Sequence, residues 1–176
     1  MTEEMTPSRL VGPMNAILRT WWNQEDERWR AAVKATTFIQ RTPPPPPYYR
    51  ALLSLASDLI SGQYELRHEL AIAAAQMACE VVVEQTLTPL LKGKKPPKNF
   101  NLAGGKGGAL ETYKKLTDDR SITKKPFWTP FVHHADLRNK IVHAGKRVGQ
   151  ADAEKSLSVA TQFVDHVENV RGEALR

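Results

Sequence analysis

The sequence predicts an all-α fold. Apolar residues recur at helical spacing in several separate stretches, and no segment shows the sustained alternation of a strand. The chain has 176 residues, of which 41% are hydrophobic and 25% are charged, and this composition excludes a fully disordered chain. The single Cys79 excludes an intramolecular disulfide framework and a cysteine-based zinc cluster. We expect one folded domain with a short extension.

The chain divides into three parts by composition. Residues 1–42 are expected to form an N-terminal helical segment, in which three tryptophans pack against the main body or, less favourably, form an aromatic platform for nucleic acid. Residues 43–48 include five consecutive prolines, which favour an extended polyproline II connector over a helix. The alternative for this run is a ligand for a proline-reading domain. Residues 49–176 then form the helical bundle.

The bundle contains five predicted helices. They run from about Tyr49 to Gly62, Tyr64 to Leu91, Ala109 to Leu116, Thr129 to Val142 and Ala151 to Arg171. The second is the most apolar, with small residues beside a stripe that begins at Leu66, and is expected at the bundle centre. Thr129 is the predicted N-cap of the fourth helix, which stops at Gly145.

The sequence favours a soluble cytoplasmic protein with no membrane association. The longest apolar stretch, Ala71 to Val83, is interrupted by polar residues and is too short to span a bilayer. Residues 3 and 4 are acidic, whereas the start of a secretory signal is basic. The apolar region of such a signal does not follow them either.

The positive charge is concentrated in one region. The formal net charge is +6, yet residues 92–125 alone hold ten basic residues against three acids, a net charge of +7. Such a patch attracts polyanions, of which nucleic acid is the commonest in a cytosol. The alternative is a solvated lysine-rich loop that serves solubility.

The segment from Asp136 to Gly145 carries the most informative residues. On a helical wheel, Arg138 falls within the predicted buried arc, so it should be paired or should line a wet cleft. The structural alternative is an ion pair with Asp136, Glu80 or Glu84. That arc is defined by Phe131, His134, Ala135, Leu137, Ile141 and Val142.

His143 lies about 140° around the helix from Arg138, because it is five residues further along. The two side chains would converge if the last turn unwound before Gly145, or if two chains met there. The alternative for a histidine in the last turn is a cap that compensates the helix dipole. The other histidines make no recognisable metal-binding pattern, and we expect no metal and no cofactor.

The stretch Arg138-Asn139-Lys140-Ile141-Val142-His143 resembles the Arg-polar-x3-His signature of the HEPN superfamily, a group of small α-helical bundles. A long Ala-rich helix before it and an Ala-patterned helix after it match the superfamily as well. The resemblance covers roughly residues 50–170. It implies a HEPN-like antiparallel bundle, to which residues 1–42 add a helical extension.

The resemblance further implies a metal-independent endoribonuclease that works as a homodimer through the signature helix. By position, Arg138 and His143 would be the catalytic pair, Asn139 their polar support and Glu80 a possible supporting acid. The residues expected to hold the RNA backbone are Lys92, Lys94, Lys95, Lys98, Lys106 and Lys140. Many members are toxins or anti-phage effectors, so a protein partner such as an antitoxin is expected.

The same resemblance permits a non-catalytic interpretation. Some members are interaction or RNA-binding modules that work with a partner protein, including a nucleotidyltransferase. The complete Arg-Asn-x3-His set favours the enzyme over this alternative.

Overall fold

The computed structural model describes residues 45–93, 97, 102–103 and 108–174. Within these ranges the chain forms five α-helices and a single 3-10 turn, with no strand, which confirms the predicted all-α fold. The helices are α1 (Tyr48–Ser61), α2 (Arg67–Leu90), α3 (Ala109–Thr117), α4 (Trp128–Ala144) and α5 (Gln150–Ala174), and the 3-10 turn is Ile122–Lys124. All belong to the second of the chain's two units, Pro46–Arg176. The predicted helical segment 1–42 lies outside the described residues.

Helix α2 is the centre of this bundle, as its composition predicted. It contacts all four other helices. Ala71, Ile72, Ala75 and Val82 are fully buried, and the small alanines among them let neighbouring helices approach closely. By length and composition α2 could cross a membrane, but 67% of its most apolar window is buried inside the protein. Its apolar surface is therefore used mainly for packing within the chain.

Two helices begin at residues that differ from the predictions. Helix α2 begins at Arg67 rather than near Tyr64, because Leu66 adopts a left-handed conformation with φ 63°. Leu66 is 39% exposed, so its predicted place in the apolar stripe is wrong. Helix α4 begins at Trp128, which places Thr129 in the first turn and not at the N-cap. Pro130 is tolerated there because the first-turn amides have no helical partners.

Polar contacts join α5 to α1 and to the segment that follows α3. Arg50 of α1 forms ion pairs with Asp165, at 2.6 Å, and with Glu168. On the other side, Nε2 of His166 lies 2.7 Å from Oδ2 of Asp119, a carboxylate that also accepts a hydrogen bond from the buried Tyr113 hydroxyl. These contacts fix α5, against which α4 packs.

Candidate functional site

The first half of α4 is anchored in the core. Phe131 is fully buried, and its ring stacks on Phe163 of α5 with centroids 4.2 Å apart and planes at 9°. One turn further on, His134 and Ala135 are buried as well. This part of the helical-wheel prediction is confirmed. Residues 128–135 are called the anchored half of α4 below.

The second half of α4, residues 136–144, emerges from the bundle. Leu137, Arg138 and Ile141 are half-buried, whereas Val142 is 45% exposed. The prediction that Val142 faces the core is wrong, because no element of the described ranges covers this side chain. Asn139, Lys140 and His143 are exposed on the same segment. We call residues 136–144 the bare half of α4.

Arg138 is half-buried without an ion-pair partner in the described part of the chain. Its Nη1 donates a hydrogen bond to Oδ1 of the adjacent Asn139 at 3.2 Å. The three carboxylates predicted as alternatives are engaged elsewhere or exposed. Asp136 pairs with Lys140 at 2.6 Å, Glu80 accepts a hydrogen bond from Gln76, and Glu84 lies on the surface. Most N–H donors of this guanidinium are therefore available to bind another group.

His143 is exposed in the last turn of α4, which stays helical through Ala144. Gly145 then closes the helix in a left-handed conformation with φ 63°, and its amide donates to the carbonyl of Ile141 at 3.1 Å. Unwinding of the last turn, one of the two ways in which His143 could meet Arg138, does not occur. Within a single α4 the two side chains remain about 140° apart, so a shared site needs a second chain.

The loop after α4 is tied to the start of α2. The buried carboxylate of Glu69 accepts a hydrogen bond from the amide of Val148 at 3.1 Å and lies 3.9 Å from the guanidinium of Arg147. Glu65 also contacts Arg147, at 3.3 Å. Glu69 thus positions the end of the signature helix. Its only sequence signal was a carboxylate in the first turn of a very apolar helix, which the helix dipole alone would explain.

A groove of about 330 Å³ lies between α4 and the N-terminal part of α5. Neither Arg138 nor His143 lines it. Its polar and charged lining consists of His133, His134, Asp136, Lys140, Lys146, Asp152, Lys155 and Ser156. The groove therefore lies beside the same helix but is separate from Arg138 and His143.

His134 is buried, at 3% exposure, and neither of its ring nitrogens has a hydrogen-bond partner in the described structure. Burial, and to a smaller extent the positive charge of Arg138, lower the pKa of His134 to about 4. The imidazole is thus neutral at pH 7. Sequence reasoning placed this residue on the buried arc, but nothing in the pattern indicated that its nitrogens would lack partners.

The buried His134 should make the protein less stable in mild acid. An unfolded chain binds a proton on this histidine near pH 6.5, whereas the native state resists protonation until about pH 4. Stability from this group is complete above pH 6.5 and falls by about 3 kcal/mol as the pH drops to about 4. Urea denaturation of the His134→Phe variant between pH 4 and 7 should lose this pH dependence. The exposed neighbour provides the control, since His133→Gln should keep it. An unchanged slope in His134→Phe would contradict the assignment.

The predicted RNA-binding lysines are only partly within the described residues. Lys92 is exposed, with a left-handed φ of 46°, and Lys140 is exposed and paired with Asp136. Lys94, Lys95, Lys98 and Lys106 lie outside the described ranges. Further along the basic region, Lys115, Arg120 and Lys124 are exposed. Glu80 shows no contact with Arg138, so a supporting role for it stays a prediction.

No family model matches the chain, and no curated protein or solved structure matches it. The likeness to the HEPN superfamily therefore depends on the signature and its helical setting. Among the described residues, no group of three or more His, Cys, Asp or Glu side chains is placed to hold a metal ion.

Proposed function

We propose that this protein is a metal-independent endoribonuclease of HEPN type that acts as a homodimer. The observation that carries the proposal is the state of Arg138. The side chain of Arg138 is half-buried, yet within the described residues its guanidinium forms no ion pair and donates one hydrogen bond, to Asn139. An RNA phosphate would supply the missing anion, since the planar guanidinium matches phosphate oxygens.

The reaction needs no external nucleophile, because RNA carries a 2′-hydroxyl beside each phosphate. His143 accepts the proton of this hydroxyl as its oxygen attacks phosphorus, or donates a proton to the departing 5′-oxygen, and water carries the other of these two protons. As the new P–O bond forms, the P–O5′ bond breaks. Arg138 stabilises the extra negative charge on the pentavalent phosphorus, and Asn139 orients the guanidinium. The products are a 2′,3′-cyclic phosphate and a 5′-hydroxyl.

A homodimer resolves the separation of the two groups. The bare half of α4 leaves Val142 and its polar neighbours exposed, so this surface is open to a second chain. If two copies of α4 meet around a two-fold axis, Arg138 of one faces His143 of the other. The exposed lysines then extend the positive surface beside this cleft.

Cleavage should depend on one hydroxyl group of the substrate. In EDTA, the protein should cut a single-stranded oligoribonucleotide and leave a 2′,3′-cyclic phosphate, detected by mass spectrometry. The same oligonucleotide with 2′-deoxy residues throughout should stay intact, because the attacking oxygen is absent. Cutting of the deoxy strand, or 5′-phosphate products, would contradict the proposed chemistry. Binding of RNA without cutting would favour the non-catalytic module instead.

A further inference from the structure

We propose that the ring of Tyr64 stacks on an unpaired base of the RNA. This inference rests on the RNA substrate of the proposed function and adds a preference for single strands, because only an unpaired base can leave its neighbours and lie on a protein side chain. Tyr64 belongs to the short loop between α1 and α2. At 67% exposure it is the most exposed large apolar residue in the described part of the chain. Residues 62–66 are called the Tyr64 loop below.

The Tyr64 loop holds its aromatic ring in a defined place. The guanidinium of Arg67 donates a hydrogen bond to the carbonyl of Gly62 at 2.7 Å, and the amide of Gly62 donates to the carbonyl of Asp58 at 2.9 Å. The ring lies beside Gly62, where even an added Cβ atom would be only 2.9 Å from Cδ2 of Tyr64. The backbone thus supports one part of the ring, while most of the residue is open to solvent. A ring that is already positioned loses little conformational freedom on binding.

The Tyr64 loop is joined to the loop that follows the signature helix. Oε1 of Glu65 lies 3.3 Å from Nη2 of Arg147, which comes three residues after Ala144, the last residue of α4. Tyr64 therefore lies at the end of the bundle where α4 presents His143. A single strand whose phosphate is bound by the bare half of α4 can place one of the neighbouring bases on the Tyr64 loop.

The surroundings of the ring suit a base better than a protein surface. Gln63 and Glu65, on either side of Tyr64, are exposed, whereas the centre of a protein–protein interface is depleted of charged residues. A base needs only one aromatic ring, and such stacking accepts any base because every base has a π-face. The carboxylate of Glu65 is paired with Arg147, which offsets its repulsion of the RNA backbone.

The test uses the full chain and a fluorescein-labelled single strand of 2′-O-methyl RNA, which cannot be cut because the attacking hydroxyl is blocked. In fluorescence anisotropy, Tyr64→Ala should weaken binding about 5- to 150-fold, the range for loss of one stacked base. Tyr64→Phe keeps the ring and should bind as the wild type does. The same strand annealed to its complement should bind the wild type more weakly, because its bases are already stacked on one another.

Abasic sites locate the base that contacts the ring. When the bases of the strand are removed one at a time, one position should weaken binding to the wild type. The same removal should have no further effect on Tyr64→Ala, because the partner ring is already gone.

Tyr48→Ala is the matched control. Tyr48 is also an exposed tyrosine, at 42%, but it begins α1, about 20 Å along the helix axis from Ser61, where α1 ends. Its substitution should leave the affinity for RNA unchanged.

The inference is overturned if Tyr64→Ala keeps the wild-type affinity, if Tyr48→Ala loses as much, or if the wild type binds the duplex as tightly as the single strand or binds no RNA. Loss of the dimer by Tyr64→Ala in sedimentation would also overturn it, since the ring would then contact a second copy. RNA cleavage with an affinity independent of Tyr64 overturns the stacking alone. Binding that depends on Tyr64, without cleavage in EDTA, supports the stacking and refutes the nuclease.

Discussion

Replacing either Arg138 or His143 with alanine should lower the rate of RNA cleavage by about 10²- to 10⁴-fold. The reason is that each group acts on the transition state, one on the developing phosphate charge and one on the transferred proton. Neither side chain anchors the fold. His143 is exposed, and Arg138 makes its one described hydrogen bond to its neighbour Asn139. The loss should therefore appear in catalysis and not in stability.

The measurement is single-turnover cleavage of a labelled RNA in EDTA, with circular dichroism melts to verify folding. His133→Ala is the matched control, because His133 is an exposed histidine on the anchored half of the same helix. It should retain the wild-type rate. Full activity in both the Arg138 and His143 variants, or an equal loss in the control, would refute the assignment.

Mixing the two inactive variants tests the shared cleft. If Arg138 of one chain works with His143 of the other, a heterodimer of Arg138→Ala and His143→Ala keeps one intact pair. Refolding the two together should restore a measurable part of the activity that each lacks alone. Absence of any recovery, despite heterodimers detected by native mass spectrometry, would place each pair within one chain.

The Phe131→Ala substitution should lower the free energy of unfolding by about 3–5 kcal/mol. The ring is fully buried and stacks on Phe163, so truncation removes apolar burial and leaves a cavity between α4 and α5. Urea denaturation monitored by circular dichroism gives this value, and Thr129→Ala, at an exposed position two residues earlier, should change it by less than about 0.5 kcal/mol. A loss below about 1 kcal/mol for Phe131→Ala would show that α4 is held by other contacts.

Strongly periodic helices could be predicted from the sequence with little error. Helix α5 was expected from Ala151 to Arg171 and extends from Gln150 to Ala174, with its apolar stripe almost entirely buried. Helix α1 is equally well predicted. In both, one continuous apolar face packs against a neighbour, so local period and tertiary burial agree.

The features that the sequence did not predict depend on tertiary contacts, which hydrophobic periodicity does not encode. Leu66 is apolar and at the right spacing, yet the turn after Gly62 places it in a left-handed conformation outside α2. Val142 continues the wheel of α4 correctly, but the neighbouring helices do not reach it. The unpartnered nitrogens of His134 and the role of Glu69 follow from which side chains meet in space. A helical wheel predicts the direction in which a side chain points. Burial also needs a neighbouring element that covers that side chain.

The division of α4 into an anchored half and a bare half has a consequence for how this scaffold can diverge. Substitutions at the buried positions of residues 128–135 disturb the bundle, whereas those among the exposed positions of 136–144 cost little stability, typically within about 0.5 kcal/mol. Evolution can therefore change what the bare half of α4 binds without changes in the core of the bundle.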